Sequence, residues 1–298
     1  MRKQLVALSL AFSIMLLATP VSSLPATEVD KGMLFGGQGT PVGNASSNIQ
    51  NLSDLPAVVE VFTATWCENC VDVEHALDEV EDAGLLQQYH VHRFIGETQD
   101  PFGTLDLDSR WKEKYGWHSP PGVVFNGTMQ KIGSVSDDGT LENEFTNLSK
   151  RDLGLGQGTT SFTWTPVSNA SGTLAWNLDI AEEHLVNATL NVSAWVVEVG
   201  ADFEEGSNGL GTYPHILRSI QVIGNELQGS STVAIPSAFD GNDLEVHLIY
   251  EVVPDEPEVI EETVEEKEDV DTPALSAIAT LAMLGLAVSI SQKGRQDL

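Results

Sequence analysis

The chain has 298 residues, 41% of them hydrophobic, and sets 44 acidic against 14 basic side chains for a formal net charge of −30. A field of that sign repels phosphate backbones and anionic head groups, which excludes a nucleic-acid-binding role. Two cysteines, Cys67 and Cys70, are all the thiol chemistry the chain has.

Residues 1–23, MRKQLVALSLAFSIMLLATPVSS, combine Arg2 and Lys3 with an apolar run and small closing residues. This is the pattern of a secretory signal peptide; an uncleaved N-terminal anchor is its alternative. Residues 24–50 are read as an N-terminal linker. Seven Asn-x-Ser/Thr sequons, at Asn44, Asn51, Asn126, Asn147, Asn169, Asn187 and Asn191, are compatible with an exported glycoprotein.

From residue 51 to 154 helix-like and strand-like segments alternate. AVVEVF (57–62) is short and β-branched, as a buried central strand requires. After the cysteines, Val73, Leu77 and Val80 recur at helical spacing and Gly84 can end that helix. HVHRFI (90–95) reads as a second strand and SRWKEKYG (109–116) as a helix. SPPGVVFNG then gives a proline pair, a strand at 122–125 and an Asn126-Gly127 turn into MQKIGSV, before a helix at 140–150. The order is βαβαββα.

This order places Cys67 at the start of a helix directly after a strand. There the free amides and the helix dipole favour a thiolate. Cys67 is the candidate nucleophile and Cys70 the resolving thiol of an exchange reaction. Trp66 offers an apolar docking surface, while Glu68, between the cysteines, disfavours the thiolate. A disulfide closing about four residues contributes only ~2 kcal/mol against ~3 for about fifteen, so a staple is a weak use of these cysteines.

Strand, Cys-x-x-Cys, helix and a later proline before a Val-Val-Phe strand together resemble the thioredoxin superfamily. Within it, Phe62-Thr63 followed by Cys67-Glu-Asn-Cys70 is similar to the F-T-G-x-x-C-x-N-C segment of the twenty-eight-kilodalton outer-membrane protein family and related secreted proteins. Ala64 replaces the glycine of that segment and Val71 its following proline. The resemblance implies an α/β thioredoxin-like domain, with Pro121 as the cis-proline that helps bind substrate. The superfamily's buried acid falls on Val61. Glu60 is one step away, which on a strand is the opposite face, and it is held as the proton-shuttle candidate against a plain edge carboxylate.

His75, His90, His92 and His118 raise the question of a copper or zinc site. They form no compact ligand pair with the cysteines, so no metal and no cofactor is expected.

Near residue 155, at DLGLGQGTT, the pattern changes. Residues 155–253 carry TSFTWTPV, GTLAWNLDI, NATLNVSAWVVEVG, ILRSIQVIG, STVAIPS and DLEVHLIYEVV, alternating runs separated by turn residues. These predict an all-β sandwich. TYPHILRSIQVIG (212–224) is similar to an H-x-L-R segment of the same outer-membrane family. His215 and Arg218 there are structural strand residues or, alternatively, anion-binding ones.

Residues 254–271 are acidic and Pro-containing, an extended stalk rather than a calcium loop. Residues 272–291 are apolar enough for a transmembrane helix, and 292–298 form a basic cytoplasmic tail. The sequence thus predicts a membrane-anchored, extracytoplasmic thiol–disulfide oxidoreductase. Its partners are thiol- or disulfide-containing proteins and a separate redox donor or acceptor. The alternative is a non-catalytic cell-surface binding module with a structural disulfide.

Overall fold

A computed structural model describes residues 24–96 and 99–255. The expected signal peptide (1–23), all but the first two residues of the stalk, the apolar segment 272–291 and the tail 292–298 lie outside the described residues.

In chain order the elements are β1 (Thr27–Glu28), β2 (Met33–Pro41), β3 (Ser46–Asn51), β4 (Ala57–Thr63), α1 (Glu68–Asp82), β5 (Leu86–His92), α2 (Leu105–Tyr115), β6 (Gly122–Phe125), β7 (Met129–Ile132) and α3 (Leu141–Ser149). There follow β8 (Thr159–Ser168), β9 (Ser171–Asp179), β10 (Ala188–Asp202), β11 (Thr212–Gly224), β12 (Gln228–Ala234) and β13 (Leu244–Pro254). Nine strands form one sheet in the order β1-β7-β6-β4-β5-β11-β10-β13-β2, and four form a second, β12-β9-β8-β3.

Every residue of β4 is buried, as befits a β-branched strand covered on both faces. Ala57, Val59 and Val61 point to α1 and α3, where they meet Val73, Leu77, Val80, Phe145 and Leu148. Val58 and Phe62 point the other way, to Leu107, Trp111 and Tyr115 of α2. The four-stranded sheet covers β2, β10 and β13 through Phe162, Trp164, Trp176, Val192, Val196 and Tyr250.

The helix α2 starts at Thr104, whose side chain accepts the Leu107 amide, and stops at Gly116 (φ 83°). In β2 a bulge shifts the pairing with β13: Gly37 (φ 93°) is the extra, unpaired residue, next to Gly36 (φ 127°). A Cβ at Gly36 would lie 2.5 Å from the Leu248 carbonyl oxygen.

The expected architecture, an α/β thioredoxin-like domain followed by a separate sandwich, is overturned. The structure is mostly β, and strands from both regions belong to one sheet. β5 is paired in parallel with β11, at Ile216 and His90, so the alternating segment does not end in an edge. Tyr89 on β5 also meets Trp195 on β10 edge-to-face, with ring centroids 4.8 Å apart. Residues 24–255 lie within one compact unit.

The linker assignment of 24–50 is also corrected. β1 pairs with β7, β2 with β13 and β3 with β8, so this stretch supplies three strands. Among the described residues no helix is long and apolar enough to cross a membrane. The expected single-pass membrane placement is therefore withdrawn. Asn126 does not fit a glycosylated surface either: it is 3% exposed and its Oδ1 accepts the Val58 amide at 2.8 Å.

Candidate functional site

Cys67 and Cys70 form a disulfide, with Cα atoms 5.3 Å apart. Cys67 is the N-cap of α1, where the strand-to-helix turn at 64–67 closes through its amide on the Ala64 carbonyl (2.9 Å). Cys67 is 6% exposed and Cys70 0%, so Cys67 is the less buried of the two. Ala64 and the half-buried Trp66 pack against the pair. The Trp66 indole N–H is buried and has no hydrogen-bond partner among the described residues. Glu68, at the first position of the helix, is exposed.

Pro121 follows a cis peptide bond from Pro120. It precedes β6, whose Gly122 is paired with Phe62 of β4, so the proline stands level with the end of β4 just ahead of the cysteine turn. His118 braces this corner. Its Nε2 accepts from Trp111 Nε1 (3.1 Å) and lies 3.2 Å from Gln130 Nε2, and its Nδ1 donates to the Ser119 carbonyl (3.0 Å). Burial pushes its pKa down, with the Ser119 bond opposing. Both ring nitrogens are thus committed to hydrogen bonds.

Glu60 is not at the disulfide. It lies with Val58 and Phe62 on the α2 face of β4, hydrogen-bonded by Arg110 and by the Tyr115 hydroxyl. Burial would raise its pKa, but the charges of Arg110 and Lys114 and those two hydrogen bonds outweigh it and hold the carboxyl below its ordinary value. An ionised, paired carboxylate on the opposite face of the strand is no proton shuttle for the cysteines.

The buried acid on the cysteine side is Glu74, one helical turn after Cys70 on the same buried face of α1. It is 3% exposed and accepts from the Thr63 hydroxyl. Burial raises its pKa, against the Thr63 bond and the nearby His92. The stripe of Val73, Leu77 and Val80 already defined that face, and a glutamate four residues past Cys70 falls on it.

Further polar groups fix the turn before Cys67. Asp100 Oδ2 accepts the Thr65 amide and His92 Nδ1, both at 2.9 Å. Burial works against the Asp100 charge, but His92 and these bonds keep its pKa low. The β10–β11 loop closes over the same turn: the Asn208 amide donates to the Thr65 carbonyl (3.1 Å), as does the Tyr213 hydroxyl (3.3 Å). A Cβ at Gly206 would lie 1.8 Å from that hydroxyl, so the loop fits only with glycine there.

Of the other histidines, His90 and His215 lie together, with ring centroids 5.3 Å apart. His75 is exposed on α1. His90 is buried beside Gln88 Oε1 (3.1 Å), and burial drives its pKa well below the ordinary range. The two strand residues His215 and Arg218 pair with carboxylates: His215 Nε2 lies 3.1 Å from Glu81 and Arg218 Nε 3.5 Å from Glu198.

No protein-family profile and no curated protein matches the chain. Among solved structures it is similar to HBP35 of Porphyromonas gingivalis, with 17% identity over 74% of this chain and 80% of that one and a TM-score of 0.47. A structural-genomics target from Agrobacterium tumefaciens matches at 13% identity over 73% of this chain and 97% of that one, with a TM-score of 0.41. Likenesses this distant identify neither a family nor a function.

Proposed function

We propose that the Cys67–Cys70 pair exchanges disulfides with thiol- or disulfide-containing proteins. The observation that carries this reading is the position of the pair: Cys67 caps α1 directly after β4, with a buried carboxyl of raised pKa, Glu74, one turn beyond Cys70. A partner thiolate attacks Cys67 Sγ, the bond to Cys70 breaks, and Cys70 leaves with the electron pair and takes a proton. Glu74 is placed to supply that proton. A second partner thiolate then attacks the partner sulfur of the mixed disulfide. Cys67 leaves as a thiolate, favoured by the helix N-terminus. The partner is oxidised by two electrons and the pair reduced; the reverse sequence reduces a partner disulfide. In either direction a separate donor or acceptor resets the pair. The half-buried Trp66 contacts the partner, whereas Pro121 is buried just ahead of β6 and shapes the corner behind the pair.

The near-complete burial of both sulfurs favours a second reading, a structural disulfide on a binding scaffold. Two measurements separate them. The reduction potential of the full chain falls at roughly −270 to −120 mV for an exchange pair and below about −300 mV for a structural one. Cys70→Ser traps a partner as a mixed disulfide on Cys67 only if exchange occurs. In Glu74→Gln the disulfide persists, but the pH profile of its reduction by a small dithiol shifts; an unchanged profile removes Glu74 from the proton path.

A further inference from the structure

A second cluster lies away from the cysteines. Glu198 is on β10, and Asp240 and Asp243 are in the loop between β12 and β13; one carboxylate oxygen from each lies within 4.8 Å of the others. Glu198 is 0% exposed. Its Oε1 accepts the amides of Phe239 (2.7 Å) and Asp240 (3.0 Å), whereas its Oε2 is buried with no hydrogen-bond partner among the described residues. Asp243 Oδ2 accepts the Gly200 amide and Asp240 Oδ2 the Asp202 amide, each at 2.8 Å. Asp243 Oδ1 is the second buried oxygen without a partner.

One cation stands beside the cluster. Arg218 Nε is 3.5 Å from Glu198 Oε2, its Nη2 reaches the Ser237 carbonyl at 3.5 Å, and its Nη1 is buried and unpartnered. Three carboxylates and one guanidinium leave two negative charges; Glu198 Oε2 is faced by Arg218 alone, beyond hydrogen-bond geometry, and Asp243 Oδ1 has no hydrogen-bond partner among the described residues. Leaving carboxylate oxygens in that state is costly, and the amides that fix the other oxygens hold the three groups in place.

We propose that Glu198, Asp240 and Asp243 bind a calcium ion. The donors are all oxygen, so the ion is hard. Three carboxylates from the protein itself, with oxygens within 4.8 Å of one another, suit calcium, which takes six to eight oxygens in flexible geometry, whereas magnesium is usually held by one or two carboxylates and keeps several waters. Gly241, at φ 56°, turns the loop between the two aspartates, which are half-buried and leave room for water ligands. The ion neutralises the residual charge and ties the β12–β13 loop to β10.

The test is calcium titration of the full chain after EDTA treatment, followed by calorimetry and thermal unfolding. One saturable site and a calcium-dependent rise in Tm are expected. Asp243→Asn, whose own Tm in EDTA shows that it folds, should weaken that site at least about ten-fold. Asp240→Asn serves the same purpose should the first variant fail to fold. Asp72→Asn, on the exposed face of α1, should leave the site intact. No calcium-dependent rise in the wild-type chain, or equal binding by the folded Asp243 or Asp240 variant, would overturn the proposal and assign the effect to diffuse screening of an acidic surface.

Discussion

Two glutamates show how much a residue's role depends on which way its side chain turns. Glu60 is ionised and fully buried in a pair with Arg110, itself a quarter exposed and stacked over Trp195 at 5.4 Å. Removing one member of such a pair strands the other. Glu60→Ala should therefore lower unfolding free energy by about 3 kcal/mol in urea denaturation, while leaving the disulfide's reduction potential unchanged. A loss no larger than that of an exposed carboxylate would show that the pair contributes nothing net. Glu74 is the converse case: a carboxyl without an ion pair, pushed toward its neutral form, on the face that carries Cys70. Proximity along β4 points to Glu60, whereas the period of α1 puts Glu74 on the face that carries Cys70.

Between elements, the junction of β5 with β11 is clamped by the His215–Glu81 pair, which runs from β11 to α1. Burial works against the His215 charge, but the bond and charge of Glu81 prevail and raise its pKa above 6.5. Glu81, opposed by burial, is held below 4.5 mainly by His215 and Gln88. The histidine's contribution is fully present below 6.5 and lost as pH rises through its folded value; the glutamate's is present above 4.5 and lost as pH falls through its own. His215→Asn, chosen because asparagine tolerates the φ of 55° at this position, should lower Tm most at about pH 5–6 and progressively less above about pH 7. A pH-independent difference would mean that the ring acts by packing alone.

Most elements were legible one at a time. The β-branched run of β4, the helical period of α1, the turn at Asn126-Gly127 and the alternation in β8 to β13 all stand in the sequence. What it did not show was pairing at long range. β3, SSNIQN, is polar and mostly exposed, and β2 is broken by the glycines of its bulge, so neither carries the hydrophobic signal of a strand. Their structure comes from partners far along the chain. The Cys67 helix start was readable for the same local reason as α1, whereas the covering loop with Asn208 and Tyr213 was not.

At the scale of the whole molecule, the two halves share a sheet and an aromatic core in which Leu34, Tyr89, Trp111, Trp195 and Ile249 are all buried. A fragment of residues 51–154 would expose the β5 edge and one side of that core. It should give no cooperative unfolding transition by circular dichroism, whereas residues 24–255 should give a single one; an independently folding fragment would restore a two-domain description. The pairing of β2 with β13 carries a consequence of another kind. The nine residues of β2 are made well before their partner in the sheet, which is the last strand described. During synthesis this glycine-rich strand stays unpaired until β13 has been made, and a holdase that shields it over that interval would raise the yield of correctly assembled protein more than one that acts only afterwards.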